Sequence, residues 1–317
     1  MEILNKDTIQ NLLGGIDLVP LIEKGFIAYS SGQVIVPPIG ELTFNDPPGD
    51  VHIKYGYIKG EKYYVIKIAS GFWENEKYGI PNGQGMMLLF NQNTGQPLVL
   101  LNDEAMLTDI RTAVAGQICA MHLANKINYI GVIGTGLQAR LQVEYLKKVT
   151  QCRKIVVWGR NDQKVLEYKN DMIEKGFQVF IENNIEDVFD KSNTIISATA
   201  SSTPIILKEF IKPGTHITAI GADAIGKREL GEGVVKLAHC VVADSITQCL
   251  ERGEISYAIS DGEIEENQIL ELGNILSGKS IGRQDTHHIT IADLTGVAVQ
   301  DVQIATAVFE SYLENKK

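Results

Sequence analysis

The stretch Tyr129-Ile-Gly-Val-Ile-Gly-Thr-Gly-Leu-Gln-Ala-Arg140 passes from an apolar run, through Gly134-x-Gly136-x-x-Ala139, into a segment whose apolar residues Leu137, Leu141 and Tyr145 recur at helical spacing. That order predicts a strand, a tight glycine turn and a helix. In such a turn Gly134 permits the reversal, Gly136 leaves bare backbone for a phosphate to lie against, and the small Ala139 lets the helix approach the strand. The free N–H groups at the helix start complete an anion site. Glycine turns also serve plain packing. Here, however, a second apolar strand, Lys154–Trp158, follows as it does in a βαβ unit, and the combination points to a dinucleotide.

Around this unit the chain changes period. From about Asn128 strands and helices alternate, with candidate strands at Tyr129–Ile133, Lys154–Trp158, Gln178–Ile181, Thr194–Ser197, His216–Ile220 and Val241–Asp244, the pattern of a parallel sheet. The first hundred residues read differently. Asp17 precedes a helical pattern at Leu18, Leu21, Ile22, Phe26 and Tyr29. Val51–Tyr57 then alternates, with His52, Lys54 and Gly56 on one face, and Lys59-Gly-Glu61 turns into a strand Tyr63–Ala69. Met86–Phe90 and Pro97–Leu101 form another strand pair. Thr108 and Asp109 are candidate N-caps for a helix through Arg111, Val114, Ile118 and Leu123. After an irregular stretch holding His287 and His288, a last helix starts near Gly296 and is free to return to the first domain.

The bulk numbers narrow the partners. Over 317 residues the net charge is -10 and no dense Lys/Arg block offsets it, which argues against nucleic acid and anionic membranes. No apolar run approaches the ~20 residues of a membrane span, and the first residues do not read as a secretory signal, so a cytoplasmic protein is expected. Cys119, Cys152, Cys240 and Cys249 are scattered and read as reduced thiols. The histidine pair has no carboxylate–His spacing to go with it, so no metal site is expected.

Four residues carry candidate chemistry, each with a plain alternative. Arg111, placed in the first turn of its helix, is disfavoured by the dipole unless an anion binds there; the alternative is a surface pair with Asp103, Glu104 or Asp109. Lys67 shares a strand face with Val65 and Ala69, so it needs a partner or a carboxylate ligand unless that face meets solvent. Asp223 follows the strand His216–Ile220, at the sheet edge where ligands bind in open α/β folds; it is a general base or a loop cap. Arg160, beside Asn161, stands where an acidic residue would hold a ribose 2′-hydroxyl. It suits a 2′-phosphate, although Asp162 is close enough to take the acidic role.

Taken together these residues resemble the ornithine cyclodeaminase/mu-crystallin family over essentially the whole chain. The marks are Val36-Pro-Pro, Lys67-Ile-Ala-Ser, Thr94-Gly-Gln-Pro, Leu107-Thr-Asp-Ile-Arg-Thr-Ala, the glycine turn, Ser197-Ala-Thr-Ala-Ser-Ser-Thr-Pro204, Gly221-Ala-Asp-Ala-Ile-Gly-Lys-Arg-Glu-Leu230 and Gly296-Val-Ala-Val-Gln-Asp301. The resemblance implies an α/β protein with a Rossmann parallel-sheet domain at 126–296. It also implies an α+β substrate-binding and dimerisation domain built from both chain ends, 1–125 and 297–317, that makes a homodimer. It assigns Asp223 and Lys67 to catalysis and Arg111 to the substrate. Thr112, Gly134, Gly136, Leu137, Gln138, Ala139, Arg160, Asn161, Thr199, Lys227 and Gly296 fall to an NAD(P)(H) cofactor, with NADP(H) the expected preference from Arg160. Substrate-side positions differ from the ornithine enzymes: His52 stands where they carry glutamate, with Lys54 on its face, Asn82 stands where a threonine is usual, and Ile39-Gly-Glu41 replaces an arginine. The implied activity is cyclodeamination of a diamino acid such as L-ornithine to proline. The alternatives are an imine reductase or amino-acid dehydrogenase, and an NADPH-dependent binding protein that acts on nothing.

Overall fold

The structure, a computed structural model, describes residues 1–316 and divides into two units, Met1–Arg111 with Val297–Lys317, and Thr112–Gly296. The division falls inside a helix, Met106–Leu123, where the sequence reading set it just beyond that helix.

The first unit is built on a seven-stranded sheet. Its elements are β1 (Glu2–Asn5), α1 (Lys6–Leu13), α2 (Leu18–Ser30), β2 (Val34–Ile35), β3 (Gly40–Asn45), β4 (Pro48–Ile58), β5 (Tyr63–Phe72), β6 (Gly83–Asn91), β7 (Pro97–Asn102) and the start of α3 (Met106–Leu123). The sheet order is β1-β7-β6-β5-β4-β2, with β3 also pairing β4, and all neighbours but β1 and β7 are antiparallel. The strand β1 and the hairpin partner β3 were not legible in the periodicity. Cross-strand register puts Lys54 opposite Lys67, Lys67 opposite Met87 and Met87 opposite Leu101, so these four share one face. That face is dry: Lys67, Met87, Leu89, Val99 and Leu101 are at most 2% exposed. Each such apolar side chain contributes about 1.5–3 kcal/mol by leaving water. The cover comes from α2 and from the last helix, α10 (Ala298–Asn315), which belongs to this unit. Gly25 lets the two helices close up, since a Cβ there would lie 2.9 Å from Gln303 Cγ. The opposite face keeps large apolar groups such as Tyr55 and Met86 partly exposed.

The second unit is an all-parallel eight-stranded sheet, the packing expected when crossover helices cover both faces. It comprises β8 (Ile130–Ile133), α4 (Leu137–Tyr145), β9 (Lys154–Trp158), α5 (Asp162–Glu174), β10 (Gln178–Ile181), α6 (Ile185–Lys191), β11 (Thr194–Ser197), β12 (His216–Ala219), β13 (Cys240–Ala243), α7 (Ile246–Glu251), α8 (Glu254–Ser260), β14 (Ile269–Glu271), α9 (Leu272–Leu276) and β15 (Thr290–Asp293). The order β10-β9-β8-β11-β12-β15-β13-β14 reverses direction between β8 and β11. That reversal is the switch point at which open α/β sheets bind ligands. The stretch read as irregular from sequence contains β15, a central strand between β12 and β13. Its run is too short, and too rich in threonine and aspartate, to carry an apolar period. Among the described residues no helix is long and apolar enough to cross a membrane.

Candidate active site

In the second unit the glycine turn opens a cleft of about 470 Å³ at the switch point, lined by Gly134, Thr135 and Gly136, by Trp158–Asn161 and Lys164, and by Ala198–Ser201 and Ile205. The cleft fits a dinucleotide by its bare backbone. Gly134 has φ +112°, and a Cβ on it would lie 2.5 Å from the Ala198 carbonyl oxygen. A Cβ on Gly136 would meet only open space, so backbone there faces the cleft directly. Gly136 also caps α4 without any side-chain hydrogen bond, which leaves the first-turn N–H groups for an anion. The helix approaches β8 closely because Ala139, fully buried, carries only a methyl group.

Arg140 holds this turn, a role that motif reading missed. Its guanidinium donates to the Thr135 carbonyl oxygen and, at 3.3 Å, to that of Gly136; Nε donates to Asp171 at 2.8 Å, and the group lies 5.1 Å over the Tyr168 ring. With the Thr135 and Gly136 carbonyls taken by Arg140, what the turn offers an anion is the N–H groups at the start of α4. At the end of β9 the lining charges are Arg160 and Lys164, both cationic, while Asn161 caps α5 by accepting the Lys164 N–H at 3.0 Å. Asp162 is not among the lining residues.

Of the expected cofactor residues, Gly134, Gly136, Arg160, Asn161 and Thr199 line this cleft, and Thr112, Leu137, Gln138, Lys227 and Gly296 do not. The Thr112 carbonyl accepts from Gln142 Nε2 at 2.9 Å, and the Gly296 N–H donates to Asp244 at 2.7 Å. Lys227 pairs with Asp223 at 2.6 Å on the loop after β12, and Asp223 is half exposed.

In the first unit Lys67 and Arg111 come together on Asp301. Lys67 Nζ lies 3.2 Å from Asp301 Oδ2, and Arg111 Nε lies 3.0 Å from Oδ1 and donates to it. Arg111 Nη1 donates to Gln300 Oε1 at 2.6 Å. All of this is dry: Lys67 is 2%, Arg111 4% and Asp301 1% exposed. The solvent-facing alternative for Lys67 and the surface pair for Arg111 both fail here. The dipole argument for Arg111 fails too. The helix starts at Met106, not at Thr108, because the Asp103 carboxylate accepts the Leu107 N–H at 2.7 Å; Arg111 therefore sits beyond the first turn. Burial first, then the Arg111 charge, pulls Lys67 down to about 8 against the opposing Asp301. Burial pushes Asp301 up, but Lys67, Arg111 and Lys54 outweigh it and hold the carboxyl below its usual range. Burial raises Asp103 to about 6.

Lys54 stands directly across from Lys67 and is 8% exposed, an arrangement of like charges that needs shared counter-charge such as Asp301. His52 lies one row along, 3.2 Å from Glu41 on β3 and 3.9 Å from Asp50. The face that holds His52 and Lys54 therefore also carries a carboxylate, Glu41, opposite His52. Asn82 lies just before β6 and keeps a buried Oδ1 with no hydrogen-bond partner.

The comparisons with known proteins agree with this fold. The model of the ornithine cyclodeaminase/mu-crystallin family matches residues 2–316. The chain belongs to that family. It is 35% identical to an uncharacterized cyclodeaminase of Sinorhizobium fredii, over 98% of this chain and 95% of that one. Among solved structures, a Δ1-pyrroline-2-carboxylate reductase of Thermococcus litoralis, in complex with NADH and L-proline, is similar with TM-score 0.91 and 27% identity, covering 100% of this chain and 98% of the other. An archaeal alanine dehydrogenase dimer with bound NAD gives TM-score 0.90 and 30% identity, with 100% and 97% covered.

Proposed function

We propose that this family member is a nicotinamide-dependent enzyme that reduces a small 2-imino carboxylate to the amino acid, or runs the reverse dehydrogenation. The observation that carries the reading is one carboxylate, Asp301, shared by two buried cations, Lys67 and Arg111. With Lys54 the buried cations number three against the two carboxylates Asp301 and Asp103, which leaves positive charge for a substrate carboxylate to balance, and dry surroundings strengthen that attraction. An imino acid brings its carboxylate without a second ammonium. Ornithine adds an ammonium that the same cations repel.

When bound, the nicotinamide ring supplies or accepts the hydride. In this reading Gly134, Gly136 and the start of α4 receive the pyrophosphate, with Arg140 keeping the turn in shape. Arg111 binds the substrate carboxylate, and Lys67, held charged by Asp301, donates to the reacting end of the molecule. Asp223 takes up or returns the proton at the substrate nitrogen, for which its exposure on a sheet-edge loop suits it. Retention of Lys67, Arg111 and Asp223 together favours turnover over simple ligand storage. The similar alanine dehydrogenase is a dimer, and the partly exposed apolar sheet face around Tyr55 and Met86 suits a second copy of this chain; a monomeric mass by light scattering would overturn that part.

Cyclodeamination of a diamino acid such as L-ornithine is the second reading, and Glu41 favours it, because a carboxylate across from His52 suits a terminal ammonium. The two separate by stoichiometry. The enzyme is incubated with Δ1-pyrroline-2-carboxylate, with pyruvate plus ammonia, and with ornithine, lysine or diaminobutyrate. Cofactor oxidised in proportion to amino acid formed supports reduction. Ammonia released from a diamino acid in large excess over cofactor reduced would replace it with cyclodeamination.

The cofactor follows from Arg160 and Lys164 at the cleft. NADP(H) is expected to bind at least as tightly as NAD(H), and Arg160→Asp to shift preference toward NAD(H), read by quenching of protein fluorescence. A wild type binding NAD(H) tenfold tighter, ~1.4 kcal/mol, would refute a 2′-phosphate role for Arg160.

A further inference from the structure

Two loops at the carboxyl edge of the parallel sheet share one buried carboxylate where they leave their strands. Glu229 is fully buried. Its Oε1 accepts the Thr199 N–H at 2.8 Å and the Thr199 hydroxyl at 2.7 Å, on the loop after β11 that lines the cleft. Its Oε2 accepts the Gly221 N–H at 3.1 Å, on the loop after β12 that carries Asp223 two residues later. The loops meet so closely that a Cβ on Gly221 would lie 2.2 Å from the Thr199 carbonyl oxygen and 2.4 Å from Glu229 Oε2.

The backbone of Glu229 is fixed as firmly as its side chain. Its N–H donates to Glu254 Oε1 at 2.7 Å, and the next N–H, of Leu230, donates to Glu254 Oε2 at 2.9 Å. Its carbonyl accepts the N–H groups of Ile205 and Ile206 at 2.8 and 2.9 Å. Glu254 is itself 1% exposed, so one buried carboxylate anchors another. Burying a carboxylate costs several kcal/mol unless hydrogen bonds repay it, so this is an expensive way merely to fill space. Backbone bonds already join the two loops further along, the Arg228 N–H donating to the Ser201 carbonyl at 2.8 Å and the Gly231 N–H to that of Ile206 at 2.8 Å; what the Glu229 carboxylate adds is a fixed spacing between Thr199 and Gly221, next to Asp223.

We propose that Glu229 is a positioning residue, whose carboxylate clips the cofactor-side Thr199 loop to the Gly221 loop and so sets where Asp223 stands. The proposal rests on the proton-transfer role given to Asp223 above. Glutamine tests it, since the amide keeps the shape but offers one acceptor oxygen; its NH2 must face an N–H donor of one loop. With the fastest of the probe substrates above, Glu229→Gln is expected to lower kcat on the order of 100-fold, the cost of misplacing a reacting group by about 1 Å. The dissociation constant for NADPH should change by less than about threefold, because the pyrophosphate is held at the glycine turn. In an Asp223→Asn background the same change should cost less than about threefold, because a residue that acts through Asp223 has nothing left to position. Equal losses in both backgrounds, or an unchanged kcat in the single variant, would overturn the clip. Undiminished turnover in Asp223→Asn alone would overturn the role of Asp223 and the clip's purpose with it. If Glu229→Gln fails to fold, Glu229→Asp, too short to span both loops, takes its place; failure of both to fold would make Glu229 a folding residue and overturn the proposal.

Discussion

Asp301→Ala is expected to destabilise the protein by about 3–5 kcal/mol, read as a lowered urea midpoint, the usual cost of stranding buried charge by removing its partner. Both cations that share the Asp301 carboxylate are almost without solvent contact, so water cannot replace it. The loss should depend on pH, and the sign can be worked out. Asp301 has its folded pKa depressed, so its contribution is present above the unfolded carboxylate range and is lost as pH falls through the folded value. Lys67 is also depressed, from 10.5 to about 8, so between those values the unfolded chain binds more protons and stability rises with pH. Without Asp301 the lysine moves lower still, since the charge that held it up is gone. The gap between variant and wild type should therefore narrow from pH 7 to 9, as wild-type Lys67 loses its proton and the pair is broken in both. Lys67→Met in the Asp301→Ala background should recover part of the loss. A variant within ~1 kcal/mol of wild type at pH 7 would mean that the cluster is wet.

How much of this was legible beforehand depended on whether a local pattern carried it. The Rossmann unit was legible because its strand, turn and helix are contiguous, and Gly134, Gly136 and Ala139 each have a local steric reason. Lys67 and Arg111 stood out as charges in awkward places, but their partner did not. Asp301 lies far along the chain in a helix whose apolar period looks ordinary, and only the return of α10 to the first unit brings it to Lys67. It closes the Gly296–Asp301 stretch that marks the family, but nothing in that stretch names its partners, and an acid in the first turn of a helix is common enough to mean nothing alone. Glu229 and Arg140 lie inside motif stretches, but their roles were not legible, because each works through backbone groups and no residue pattern encodes that. β15 was missed because central parallel strands can be short, and its threonine and aspartate broke the apolar run. The start of α3 was misread because Asp103 caps it from outside the Thr108/Asp109 pair.

Lys67 itself is expected to show the largest effect on turnover. Lys67→Met should lower kcat/KM for imino-acid reduction by about 10²–10³-fold, the usual cost of removing a donor aimed at the reacting group, with NADPH affinity nearly unchanged. The lysine emerges from a dry sheet face, opposite Lys54 and against Asp301, so no solvent species can stand in for it. Burial has moved it to about 8, so the charge behind its hydrogen bond to the reacting end is lost within the working pH range. In the wild type kcat/KM should accordingly fall as pH rises through about 8, where Lys67 loses its charge. A substrate imine that titrates would give a falling limb of its own, so a single profile does not assign the limb. Lys67→Arg separates them. Guanidinium keeps its charge well beyond pH 10, so a limb that belongs to Lys67 disappears from the variant's profile, whereas a limb that belongs to the substrate stays where it was. The variant should be slower throughout, because a planar fork replaces a compact ammonium. A falling limb at the same pH in both enzymes, or a Lys67→Met variant within threefold of wild type, would remove Lys67 from the chemistry and leave it as a counter-ion for Asp301.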